Sequence, residues 1–153
     1  MSKFLNQKRQ SVGGFSLIEM MFAMAVLVVL GTIAAPNIYD LMVKSRVRAA
    51  ASDLYGTLIA VRSEAIKRNV NVDIVPDTDW NGWRIMTGGT TLKHQDAYPA
   101  TVVIAGPPGP VTYRRDGRLD GTSNATFTLS VRDRPDLKTR TVVVDLSGRP
   151  SVK

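Results

Sequence analysis

Gly13-Gly14-Phe15-Ser16-Leu17-Ile18-Glu19 joins two unlike segments. Before it lies a short polar leader that carries Lys3, Lys8 and Arg9 and no acid. After it an apolar run covers residues 15–35, 21 positions in which Glu19 is the only charge. At about 1.5 Å per residue a helix of that length measures roughly 32 Å, close to the ~30 Å of bilayer hydrocarbon. The basic flank favours a cytoplasmic start, with the rest of the chain on the far side of the membrane.

Three readings compete for this run. A secretory signal has a basic start and a small-residue cleavage site. Here Ile33-Ala34-Ala35 is followed at once by Pro36, and Glu19 interrupts the apolar stretch. A plain anchor accommodates the length but leaves Glu19 unexplained. A charge at the centre of a spanning helix costs roughly 2.5–3.5 kcal/mol, less toward an end, and asks for a partner.

In the third reading, Gly13-Gly14-Phe15-Ser16-Leu17-Ile18-Glu19-Met20 resembles the processing site of type IV pilins and type II secretion pseudopilins. The resemblance implies cleavage by a prepilin peptidase after Gly14 and N-methylation of the new terminus, Phe15. It also places the glutamate fifth after the cut, as Glu19 is, and a helix-bending proline at the end of the membrane part, as Pro36 is. A free α-amine titrates at about 7.7–8.0 and is largely cationic at neutral pH. Glu19 of one subunit can therefore pair with the Phe15 amine of a neighbour in a filament. Stranding one member of a buried pair costs about 3–5 kcal/mol, which makes such a pair a register device.

Composition sets further bounds. The chain has 153 residues, enough for one domain with a modest core. It has no Cys, which excludes disulfides, thiol catalysis and Cys-based zinc sites. The formal charge of +7 becomes +4 once the three leader cations are removed, so the mature protein is mildly basic. That balance alone selects no partner.

Beyond the apolar run the helix is expected to continue to about Arg68, loosened near Gly31 and Pro36. Leu54, Leu58, Val61 and Ala65 recur at helical spacing and read as core, and Asn69 reads as the stop. Strands follow. Val70, Val72 and Ile74 alternate with polar residues, and Trp83 and Ile85 follow a turn at Asn81-Gly82. Thr87-Gly88-Gly89-Thr90 reads as a hairpin turn. Residues 101–105, 111–113, 126–131 and 139–146 read as further strands. Ser147-Gly148 then turns into a short, flexible basic tail. One helix before a mostly antiparallel sheet is an α+β class. The expected division is a leader at 1–14, a membrane or filament-core helix at 15–36, and a periplasmic head at 37–153.

This succession also resembles the FimT/GspH family of minor pilins and pseudopilins. The resembling pieces are Asp53-Leu54 through Arg68, Val70-Asn71-Val72, Gly82-Trp83, Tyr113-Arg114-Arg115-Asp116-Gly117 and Ser147-Gly148-Arg149. The resemblance implies a type IV pilin-like fold, a long N-terminal helix against an antiparallel β-sheet head, and a place at or near the tip of a pilus or pseudopilus. FimT-like pilins that bind DNA use a C-terminal Gly-Arg-x-Arg pattern. Gly148 and Arg149 match it, Ser151 stands where the second arginine would be, and Lys153 comes two residues late.

Other candidate sites are weaker. His94 is the only histidine and nothing in the spacing gives it a nucleophile, so no catalytic residue is expected and a membrane-tethered enzyme is a weak third reading. Asp77-Thr78-Asp79-Trp80-Asn81-Gly82 looks like the first half of a calcium loop, but Gly88 occupies the position of the required bidentate acid. No metal or cofactor is expected. From Thr101 onward nine Lys or Arg face five Asp. Arg114, Arg115 and Arg118 at a turn, with Arg149 and Lys153 in the tail, are the candidate DNA contacts, gripping phosphates without reading sequence. The expected partners are a prepilin peptidase, other major and minor pilins or pseudopilins, inner-membrane lipid and, as a further candidate, DNA. The favoured expectation is a type IV pilus subunit similar to FimT; a GspH-like pseudopilin of a type II secretion system is the rival.

Overall fold

The computed structural model describes residues 14–153, without the side chains of residues 33–37. The leader other than Gly14 lies outside the described residues. The chain divides between Ile38 and Tyr39 into two compact units.

Helix α1 covers Leu17–Arg68 and is assigned without a break through Gly31 and Pro36. Its start is capped: the Glu19 N–H donates to Ser16 Oγ at 3.2 Å. Ser16 is thus the N-cap and Glu19 the third helical residue, the spacing of a capping box. Up to Leu30 the large apolar side chains, Phe22, Leu27 and Val28 among them, stand exposed. Among the described residues no helix is long and apolar enough to cross a membrane.

In the second unit α1 buries one stripe, Val43, Val47, Ala50, Ala51, Leu54, Leu58, Val61 and Ala65. The stripe contains all four helical core positions expected from sequence. The helix ends at Asn69, which takes a left-handed φ of 55°. The Val70 N–H reaches the Ala65 carbonyl and the Asn69 N–H reaches that of Ile66. These two bonds satisfy carbonyls the last turn leaves open. They also claim Val70, which sequence placed in the first strand; β1 begins at Val72 instead.

Eight strands follow: β1 Val72–Pro76, β2 Trp83–Thr87, β3 Thr90–Gln95, β4 Val102–Ala105, β5 Val111–Tyr113, β6 Ala125–Val131, β7 Arg140–Val144 and β8 Pro150–Val152. They form two antiparallel sheets, in the orders β3-β2-β1-β5 and β4-β6-β7-β8. The β2–β3 turn uses Gly88 and Gly89 at φ 51° and 81°. Two positive φ values are what a tight two-residue hairpin demands.

The inner faces of both sheets meet the helix stripe in one core that includes Ile74, Trp83, Tyr113, Phe127, Leu129 and Val142. Trp80 ties the sheets together. It stacks edge-on to Phe127 at 4.8 Å, and its Nε1–H donates to the Pro107 carbonyl at 2.7 Å.

The flexible tail expected from sequence is corrected. Residues 150–152 are β8, in register with β7 through Val144↔Pro150, Val143↔Ser151 and Val142↔Val152. Lys153 and Thr141 exchange both backbone hydrogen bonds, at 2.8 and 3.1 Å. The free edge of β7 supplies donors and acceptors that a loose tail would leave to water.

Candidate functional site

The junction at Gly14-Phe15 lies in non-helical chain just before the cap at Ser16. Phe15 and Glu19 are both exposed. Among the described residues Glu19 has no cationic side chain within ion-pair distance. Its position in the first helical turn complements the helix dipole. This local role follows from Ser-x-x-Glu spacing, a signal the sequence reading passed over.

In the head, two turns are pressed together. Gly117 has φ 77° and Gly148 φ 78°. A side chain on Gly148 would run into the Gly117 carbonyl, and one on Gly117 into Ile66. Arg62 of α1 holds both turns: its Nε donates to the Gly117 carbonyl at 3.0 Å and its Nη2 to the Ser147 carbonyl at 3.3 Å. Nothing in the sequence around Arg62 marks this role, since both of its partners are carbonyls far along the chain.

The first turn is closed by Arg114 N–H to the Arg118 carbonyl and Arg118 N–H to Asp116 Oδ1. The second is closed by Asp145. Its Oδ1 accepts from Ser147 Oγ and from the Arg149 N–H, and those bonds hold its carboxyl below the usual Asp range, Ser147 most of all. Tyr113 lies beneath, fully buried, with a hydroxyl that has no partner among the described residues; burial pushes its ionisation up.

Arg114, Arg115, Arg118 and Arg149 are thereby gathered at one end of the head, and all four are exposed. Arg114 stands 3.6 Å from Asp116, and Arg149 stands 3.7 Å from Asp145. Lys153 does not join them. It sits beside Thr141, at the opposite end of the β7–β8 hairpin from Gly148.

His94 contacts no nucleophile among the described hydrogen bonds. Its Nε2 lies 2.8 Å from Asp77 Oδ2, and Arg84 Nε donates to Asp77 Oδ1 at 2.8 Å. His94 and then Arg84 hold the Asp77 carboxyl below its ordinary value. The calcium-like stretch is a turn between β1 and β2. Asp79 Oδ1 accepts from the Asn81 N–H, and Asn81 Oδ1 accepts from the Ile104 N–H.

The family described as type II transport protein GspH matches residues 50–148. The prokaryotic N-terminal methylation motif matches residues 9–35. No curated protein matches the chain. Among solved structures, the type IV minor pilin FimU of Pseudomonas aeruginosa superposes with a TM-score of 0.63 at 23% identity, covering 71% of this chain and 89% of FimU. The minor pseudopilin EpsH from the type 2 secretion system of Vibrio cholerae superposes with a TM-score of 0.58 at 14% identity, covering 71% of this chain and 96% of EpsH. At these identities the likeness concerns the fold, which is the type IV pilin-like α+β arrangement expected from sequence. The GspH match spans more than half of the chain, from the buried half of α1 to the Gly148 turn, and the chain belongs to the GspH family.

Proposed function

We propose that the chain is a minor pilin of a type IV pilus, similar to FimT. In this reading it is cut after Gly14 by a prepilin peptidase, N-methylated at Phe15 and held by a single pass in the bacterial inner membrane with its head in the periplasm. It then enters the filament at or near the tip through contacts with other pilins. The observation that carries this reading is the methylation motif over residues 9–35 set against the cap at Ser16. Gly14 and Phe15 stay outside the helix, where a peptidase can reach the bond between them. Exposed Leu, Val, Met and Phe around the start of α1 call for an apolar surround, lipid before assembly and neighbouring helices after it. Mass spectrometry of the mature protein is expected to find N-methylated Phe15 first. An intact leader, or a start at Pro36, overturns the reading.

Within it, the head binds DNA without sequence preference through the paired turns. The support is the gathering of Arg114, Arg115, Arg118 and Arg149, which grips phosphate by charge. A mobility shift of the detergent-solubilised chain with duplex DNA is expected, weakening steeply with salt. Arg115→Gln with Arg118→Gln should weaken it, Lys153→Gln much less. No shift at low salt removes the DNA function and leaves the pilin reading standing.

The family's own description favours a second reading, a minor pseudopilin of a type II secretion system. Deleting the gene separates the two. Loss of surface pili supports the first, and periplasmic accumulation of secreted proteins with normal pili supports the second.

A further inference from the structure

Four cations line one cleft of the head, away from the Gly117–Gly148 turns. Lys44 and Arg48 of α1 face Lys138 and Arg140 at the start of β7 across a concavity of about 260 Å³. Val47, buried, completes its lining. Lys44 and Arg48 are four residues apart on one helix, a like-charged spacing that costs helix stability. The carboxylates close at hand offset this only in part, because both are in ion pairs elsewhere. Asp40 lies one turn before Lys44, and Asp136 lies two residues before Lys138. Arg134 takes both, with Nη1 at 2.9 Å from Asp40 Oδ1 and Nε at 3.0 Å from Asp136 Oδ1. Arg134 is also the first cause of the lowered Asp136 carboxyl, with Lys44 the last. Among the described residues none of the four cleft cations has a carboxylate within 4.0 Å.

We propose that this cleft is a binding site for a single phosphate group, either free or on an anionic lipid headgroup. Two guanidinium forks and two ammonium groups suit a tetrahedral polyanion with several acceptor oxygens. The cleft is smaller than the roughly 300–1,000 Å³ of sites that enclose a whole small-molecule ligand, so it takes the anionic group and leaves the remainder outside. Arg134 has a part in the site without touching the ligand, because it holds both carboxylates in ion pairs of its own and so keeps them out of contact with the four cations.

The test is a titration of the full chain in zwitterionic detergent, with amide shifts read by NMR. Inorganic phosphate is expected to give saturable shifts at Lys44, Arg48, Lys138 and Arg140. Lys138→Gln with Arg140→Gln should weaken the apparent affinity at least about tenfold, the loss of one charge-assisted contact or more. Arg140→Lys should retain part of it, and Arg115→Gln with Arg118→Gln should leave it unchanged. Unchanged shifts outside the cleft show that the variants remain folded. Saturation at lower concentration with phosphatidylglycerol bicelles than with phosphate assigns the site to a lipid headgroup; the reverse order assigns it to free phosphate. Phosphate shifts that are linear and scattered overturn the proposal. It is equally overturned if duplex DNA saturates the cleft amides while phosphate does not, since the cleft would then be part of a nucleic-acid track.

Discussion

At the scale of single residues, two glycines let the turns at one end of the head meet. Gly117 and Gly148 both adopt left-handed φ values, and each faces an obstacle where a Cβ would go. For Gly148 that obstacle is backbone, the Gly117 carbonyl, which cannot swing away as a side-chain tip can. Gly148→Ala should therefore destabilise the chain by about 2 kcal/mol or more, combining a strained φ with a forced separation of the turns. Gly109→Ala, at a position with open space and no positive φ, should change stability by less than about 0.5 kcal/mol. Urea unfolding of the two variants measures the contrast, and equal midpoints would show that the turns separate at no cost. If the turns also carry the DNA contacts, Gly148→Ala weakens DNA binding without removing a charge.

At the scale of elements, the long helix and most strands were legible because their signals are local. The buried stripe through Leu54, Leu58, Val61 and Ala65 repeats at helical spacing, Asn69 stops it, and Gly88-Gly89 announces its hairpin. The ending was not legible. Pro150-Ser151-Val152 is too short for any periodicity, and its partner β7 is supplied only by the folded sheet. Polar β3 hides for the same reason: as an edge strand it needs no apolar alternation. The pairing of Lys153 with Arg149 failed with the tail, since a strand between them carries the two to opposite ends. One cross-strand device can be tested by pH. Asp77 clamps Arg84 of β2 and His94 of β3, residues directly opposite one another. Its folded-state carboxyl lies below the unfolded value, so the clamp's contribution is present above about pH 4 and is lost as pH falls through the depressed folded value. Asp77→Asn should lower the urea midpoint at pH 7 by the equivalent of under about 1 kcal/mol, as for a partly exposed pair. The gap to wild type should close below pH 4; a gap constant with pH would mean that Asp77 acts by shape and not by charge.

At the scale of the whole molecule, the assembly claim rests on Glu19, and the capped helix start determines which variant tests it. Glu19 has two separable roles. Three residues after the Ser16 cap, its long polar side chain is placed to reach back to the Ser16 N–H, a role that glutamine keeps while losing only the helix-dipole contribution of about 0.3–1 kcal/mol. As a carboxylate it can pair with the Phe15 amine of a neighbouring subunit, a role that glutamine cannot fill. Glu19→Ala removes both roles and so cannot tell them apart. Glu19→Gln removes only the charge: membrane insertion, cleavage after Gly14 and helix content should all be kept. What should fall is incorporation into filaments. Stranding a buried amine costs about 3–5 kcal/mol, enough to lower equilibrium incorporation by two decades or more. The measurement is the ratio of filament-bound to membrane-bound subunit, by quantitative immunoblot of sheared filaments against membranes. A ratio for Glu19→Gln within a few-fold of wild type, with Glu19→Ala strongly reduced, would assign Glu19 to helix capping and remove the intersubunit pair. Both variants reduced alike, with Phe15 still the processed terminus, is the outcome the pairing requires.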